Sequence, residues 1–327
     1  MECFFQNVLL SVLVIFFLSC RSNKDPNSDE KWFSEMNSIL GERGHEELTA
    51  HAILFANAEL NGGEKIHAIS FDEVAWKLES PIVFGNFATD FPSWITDRLT
   101  TPAFNMFAAF ADETGSSEPL SFRAWGSHPK LQSLHFMRSV SQVDRSGTSA
   151  ACLKSRDRIA AASKKALKYW VESPREPTAF RDFWLGAALH TIQDSFSPSH
   201  TVRSRDENRT IKDLCIYAQS IQGICEHSMI DFKDSIWLED SADPPTKVAA
   251  ERFALLTDEA KDAVMASKAF LVHMTKAFTY AKSLIASGKK KEIVEKKTAE
   301  NLDQHMKAFF TQVNGAGNGW FICPESD

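Results

Sequence analysis

From Glu46 to Leu60 the chain is rich in helix formers, and Asn61, Gly62 and Gly63 stop the run, which predicts a helix closed by a glycine C-cap. Residues 152–172 and 178–196 repeat the pattern, as does nearly everything from Pro245 to Val313 with one break at Gly288. Valine and isoleucine seldom alternate with polar residues, and no Asn-Gly or Asp-Gly turn joins two such runs, so strand signals are sparse. The expectation is an all-α domain of packed helices, with loops around residues 78–100, 113–130 and 200–212. The charge run GKKKEIVEKK, residues 288–297, reads as a solvated helix face, and Phe104, Phe107 and Phe110 at spacing three read as core.

The N-terminal stretch changes the picture. Residues 8–19, VLLSVLVIFFLS, are apolar but too short to span a bilayer well, and they end in Ser19 beside Cys20. This reads as an export signal over residues 1–20. LSC also looks like a relaxed lipobox that would lipidate Cys20, although residues 1–7 carry Glu2 and no Lys or Arg. Secretion or a lipid anchor at the cell surface is the expected localisation. Residues 21–31 are polar and suit a linker or propeptide, so a single domain is expected over residues 32–327. With Cys3 and Cys20 set aside, Cys152, Cys215, Cys225 and Cys323 remain. Export makes two disulfides the expectation, Cys215 to Cys225 being the local pairing. A net charge of −7 argues against broad electrostatic attraction to nucleic acid or anionic lipid, without excluding a metal enzyme that acts on either.

The chemistry concentrates in HTIQDSFSPSH, residues 190–200, and HSMID, residues 227–231. On a helix, His190 and Asp194 lie one turn apart on one face and can grip a metal together, as can His227 and Asp231. Pro198 ends the first helix and lets His200 fold back as a further ligand. Imidazole and carboxylate without thiolate suit a hydrolytic zinc site rather than a structural one. His51 follows His45 by six positions and is expected to face elsewhere, His67, His128, His273 and His305 lack an acid or histidine at ligand spacing, and all five read as structural or surface residues. Arg138, Arg203 and Arg205 stand near these ligands in sequence and could clamp phosphate oxygens, though a solvated surface position is the commoner outcome for arginine.

RGHEELTAHAI around His45, LHFM around His135, HTIQDSFSPSH and HSMID together resemble the zinc-dependent phospholipase C superfamily, which includes the single-strand-specific zinc nucleases. The resemblance covers residues 32–231 and implies an all-helical fold holding two to three zinc ions. It implies a close pair of ions bridged by Asp194, one held also by His135 and His190, the other by His45. A third would take His200, His227 and Asp231. An aspartate before the His135 element serves the family as ligand or general base; Asp90 in GNFATDF is the candidate, with Asp97 and Asp112 as rivals. Trp32, thirteen residues before His45, matches the family's zinc-binding terminal tryptophan, or is simply an aromatic anchor at the start of a helix.

The function so implied is hydrolysis of a phosphodiester by a metal-activated water, with Asp90 and Asp194 as the catalytic carboxylates. A phospholipid substrate at a membrane surface is the leading expectation, favoured by the tryptophan spacing. A nuclease acting on single strands is the alternative, favoured by Asp231. A surface lipoprotein that keeps the metal site without catalysis is the third.

Overall fold

The computed structural model describes residues 44–60, 66, 80–89, 131–139, 142, 147–172, 179–198, 200–204, 210–216, 253–254, 256–311 and 320–325. Six α-helices occupy most of them: α1 Gly44–Glu59, α2 Pro81–Ala88, α3 Gly147–Glu172, α4 Ala179–Asp194, α5 Asp258–Ala286 and α6 Lys291–Thr311. A single 3-10 turn, Gln132–Leu134, and two short antiparallel strands, β1 Thr201–Arg203 and β2 Ile211–Leu214, complete the elements. Among the described residues the architecture is all-α with one two-stranded sheet.

The composition of α4 explains its place. Every residue from Arg181 to Asp194 is buried, as expected of a helix that is apolar around most of its circumference. Helices α1, α2, α3 and α5 all pack on it. The approach of α2 is the closest, and glycine permits it: a Cβ on Gly186 would overlap the Ile82 carbonyl oxygen, and one on Gly85 would overlap that of Phe183. Backbone therefore meets backbone at this crossing.

The next helix, α5, begins at an N-cap, Thr257, whose hydroxyl accepts from Ala260 N at 3.2 Å, with Asp258 and Glu259 in the first turn to meet the positive helix end. Gly288, at φ 68°, makes the predicted break between α5 and α6. The charge run beyond it is exposed except for Val294, as a solvated face should be.

Two regions depart from the pattern reading. The expected loop over residues 78–100 contains α2, because Ile82, Val83, Phe84, Asn86 and Ala88 are buried at the glycine crossing rather than exposed as a connection. The expected loop over 200–212 contains most of a hairpin, with Thr201 paired to Leu214 and a register shift between Val202 and Arg203. Phe104, Phe107 and Phe110, the loop over 113–130 and the N-terminal segments lie outside the described residues. No described helix is long and apolar enough to cross a membrane.

A disulfide joins Cys152 on α3 to Cys323 near the C-terminus. Cys215 is also disulfide-bonded. Its expected partner, Cys225, lies outside the described residues.

Candidate metal centre

Asp194 closes α4, and its carboxylate is almost wholly buried, at 2% exposure. Four histidines surround it. His190, one turn earlier on the same helix, places Nε2 at 2.9 Å from Oδ2. His45, from the start of α1, places Nε2 at 3.1 Å from Oδ1. His135, at the end of the 3-10 turn, brings Nδ1 to 3.2 Å from Oδ2, and His200, just before β1, brings its Nδ1 to 3.6 Å. Ligand atoms of His45, His190 and Asp194 all lie within 4.8 Å of one another, a group able to hold a metal ion.

The protonation pattern of this cluster follows from the hydrogen bonds behind it. The Asn86 side-chain nitrogen donates to Gln193 Oε1 at 3.0 Å and to Thr49 Oγ1 at 3.1 Å, which turns its oxygen toward His190 Nδ1, at 3.1 Å. Gln193 Nε2 donates to Thr49 Oγ1 at 3.0 Å, so Gln193 Oε1 faces His45 Nδ1, at 2.9 Å. Both amide orientations are thus fixed by the network. With acceptors on the far side, His45 and His190 each carry hydrogen on Nδ1 and present Nε2 to the carboxylate. His200 Nδ1 likewise donates to the His135 backbone carbonyl at 2.6 Å.

A neutral imidazole lone pair facing a carboxylate oxygen at about 3 Å is repulsive unless positive charge lies between them. Extra protons or a cation would supply it. With the extra protons on the imidazoles, burial raises the Asp194 carboxyl, but attraction to His190 and His200 and hydrogen bonds from His135 and His190 outweigh it and hold the group well below the ordinary carboxylate range. The centre therefore keeps an anion at its core at neutral pH, ringed by nitrogen donors and backed by polar groups of the kind that orient metal-ligating histidines.

Local folding brings these groups together. Thr201 Oγ1 and Arg203 Nε donate to Ser195 O at 2.6 and 2.7 Å, satisfying a carbonyl beyond the C-terminus of α4 and folding the chain back so that His200 returns to Asp194. On the other side, Arg138 N donates to Cys215 O at 2.9 Å and Arg138 Nε to Leu214 O at 2.7 Å, docking the His135 segment on the hairpin. Phe136, immediately after His135, has φ 52°, a left-handed backbone uncommon for a residue with a side chain.

The arginines expected as surface residues or phosphate clamps have another use. Arg138 is 1% exposed and pairs with Asp213 at 3.4 Å, and Arg203 is committed to Ser195 and Trp320 carbonyls. Arg205 lies outside the described residues, as do Trp32, Asp90, Asp97, Asp112, His67, His128, His227 and Asp231. His51 is buried beside Glu47, with Nε2 at 3.6 Å from Oε1, away from the cluster. His273 and His305, which sequence spacing leaves apart, meet between α5 and α6 with Nδ1 atoms 3.1 Å apart.

Sequence reasoning missed Asn86, Gln193 and Thr49. Their only advance sign is polarity inside otherwise buried helices, which no spacing rule turns into a role. Comparison with protein-family models, with curated proteins and with solved structures finds no match. Fold and site together define a helical protein with a buried histidine and aspartate cluster suited to a metal ion.

Proposed function

We propose that the protein is an exported zinc-dependent phosphodiesterase of the phospholipase C type, hydrolysing a phospholipid. The observation that carries the proposal is that the Nε2 atoms of His45 and His190 converge on Asp194 while the side-chain oxygens of Gln193 and Asn86 stand behind their Nδ1 atoms. That donor set, nitrogen and carboxylate without sulfur, suits zinc. The motif resemblance supplies the reaction class, and residues 8–19 supply the route out of the cell.

Zinc bound here would acidify water and polarise a phosphoryl oxygen. The chain's own contribution is arrangement. Asp194 offers Oδ1 toward His45 and Oδ2 toward His135 and His190, so each carboxylate oxygen has a histidine neighbour, as a bridging ligand needs. The Thr49, Asn86 and Gln193 network fixes which nitrogen each histidine presents, so no tautomer change is required when an ion enters. Burial keeps bulk water from competing at the carboxylate. His200, His227 and Asp231 complete the proposed ligand set, with Asp90 as the upstream carboxylate and the Trp32 amine as a further donor.

A nuclease reading has one specific feature in its favour, Asp231 in HSMID, where the phospholipase branch more often carries glutamate. Purified protein loaded with zinc and offered phosphatidylcholine vesicles or single-stranded DNA separates the two. Release of phosphocholine is the expected result. Nucleotide release would replace the phospholipase reading, and inactivity on both at full zinc content would favour a surface lipoprotein that retains the metal without catalysis.

A further inference from the structure

Two turns carry most of the cluster, one bearing His135 and the other bearing Asp194 and His200, and both lie against the C-terminal residues Trp320 and Phe321. The Phe136 ring packs on Phe321 at 6.0 Å between centroids. Phe196, two residues after Asp194, meets Trp320 at 6.4 Å and Phe321 at 6.1 Å, each edge to face. Phe321 itself is fully buried and also packs on Phe309 of α6 at 5.1 Å. Arg203 stitches the same parts together: Nη1 donates to Trp320 O at 2.8 Å, Nε to Ser195 O at 2.7 Å, and the guanidinium lies 4.1 Å from the Phe196 ring centroid. Two residues beyond Phe321, Cys323 is bonded to Cys152 on α3.

We infer that residues 320–323 are a strap that positions the metal centre, with Phe321 as its wedge, Arg203 as its tie and the Cys152–Cys323 disulfide as its anchor. A covalent anchor at one end suits a strap of this kind, because it limits how far the segment can move from α3. Phe321 touches the residue after His135 and the residue two after Asp194, so its ring limits how those turns can move against each other. The left-handed backbone at Phe136 is strained for a residue that carries a side chain. Burial of its ring against Phe321 opposes relaxation of that backbone, which would swing His135 away from Asp194. Phe321 and Arg203 are positioning residues: neither is placed among the ligands.

The inference rests on the metal-centre reading and is tested in the full-length protein by zinc affinity, from competition with a chromogenic chelator, and by the visible spectrum of the cobalt-loaded form. Phe321→Ala, Arg203→Gln and the double change Cys152→Ala with Cys323→Ala are compared with Leu302→Ala. Leu302 is a buried α6 residue, so its variant registers lost stability without touching the strap. Zinc should bind roughly 10- to 100-fold more weakly in the strap variants, the range typical of lost support behind metal ligands, with an altered cobalt spectrum, while Leu302→Ala keeps wild-type affinity. Measuring well below each variant's Tm separates positioning from unfolding, and Phe321→Leu should recover part of the affinity. Wild-type affinity in every folded strap variant would overturn the strap and leave the metal centre standing, as would equal weakening by Leu302→Ala. A wild-type protein that binds no zinc would overturn the metal centre and the strap with it.

Discussion

Asn86 and His190 stand 104 positions apart in the chain and meet through one hydrogen bond of 3.1 Å, from His190 Nδ1 to the Asn86 side-chain oxygen. That bond decides which nitrogen His190 offers to Asp194. Asn86→Leu removes the acceptor, frees the tautomer and leaves the Gln193 oxygen with one donor fewer. Zinc affinity should fall roughly 10- to 100-fold, the usual cost of losing a group behind a metal ligand. Competition titration of the folded variant measures it, and wild-type affinity would mean that Asn86 has no part in orienting His190.

Asp194→Asn should have the larger effect. The amide keeps the shape of the carboxylate but loses the anion that His45, His135 and His190 surround. Zinc content by elemental analysis should drop to background in protein purified without chelator. Full metal content would remove Asp194 from the ligand set.

Asp194 was visible from the sequence and Asn86 was not. His190 and Asp194 follow from helical spacing alone, because residues four apart share a face whatever surrounds them. Asn86 depends on the crossing of α2 and α4. PIVFGNFA gave no amphipathic signal, since nearly all of its described side chains are buried, and the need for Gly85 exists only once Phe183 lies against it. The hairpin was missed for a related reason: TVR and IKDL are too short to show alternation, and the segment between them carries no paired-turn dipeptide. Arg138 and Arg203 looked like surface residues or anion clamps because a sequence does not reveal which backbone carbonyls will face them. His273 and His305 belong to different helices, so their meeting depends on how α5 and α6 pack.

The same crossing supplies a third prediction. Gly186→Ala forces its methyl group against the Ile82 carbonyl, and a backbone atom cannot swing aside as a side-chain tip would. The expected loss is at least the 1–3 kcal/mol typical of overpacking, read as a lower urea midpoint. Because α2 must back away, Asn86 should withdraw from His190 and zinc affinity should fall as well. An unchanged midpoint would mean that the helices do not approach this closely.

Acidification tests the pair between α5 and α6. Burial, then the nearby Lys276 charge, lowers the His305 pKa below its ordinary 6.5. With its Nδ1 only 3.1 Å from that of His273, the two facing nitrogens have room for one hydrogen between them and not for two. The unfolded chain takes up the proton more readily than the folded one, so the stability contribution is complete above about pH 6.5 and is lost as pH falls through the lower folded value. Urea denaturation of the metal-free protein between pH 7.5 and 5.5 should show stability declining with pH, and His305→Gln should flatten part of that decline. An identical slope in the variant would remove His305 from the pH response.

The bridge from Cys152 to Cys323 spans 171 positions and encloses His190, Asp194 and His200, while His45 and His135 lie outside the closed loop. In chain-entropy terms, closing a loop of that length disfavours the unfolded chain by about 5 kcal/mol. It also changes what proteolysis can do to the protein. One cut anywhere between the two cysteines opens the chain without dividing it, so the nicked molecule migrates as a single species until a reductant is added. Asp194 and the four histidines around it then remain tethered to one another after the peptide chain itself has been broken.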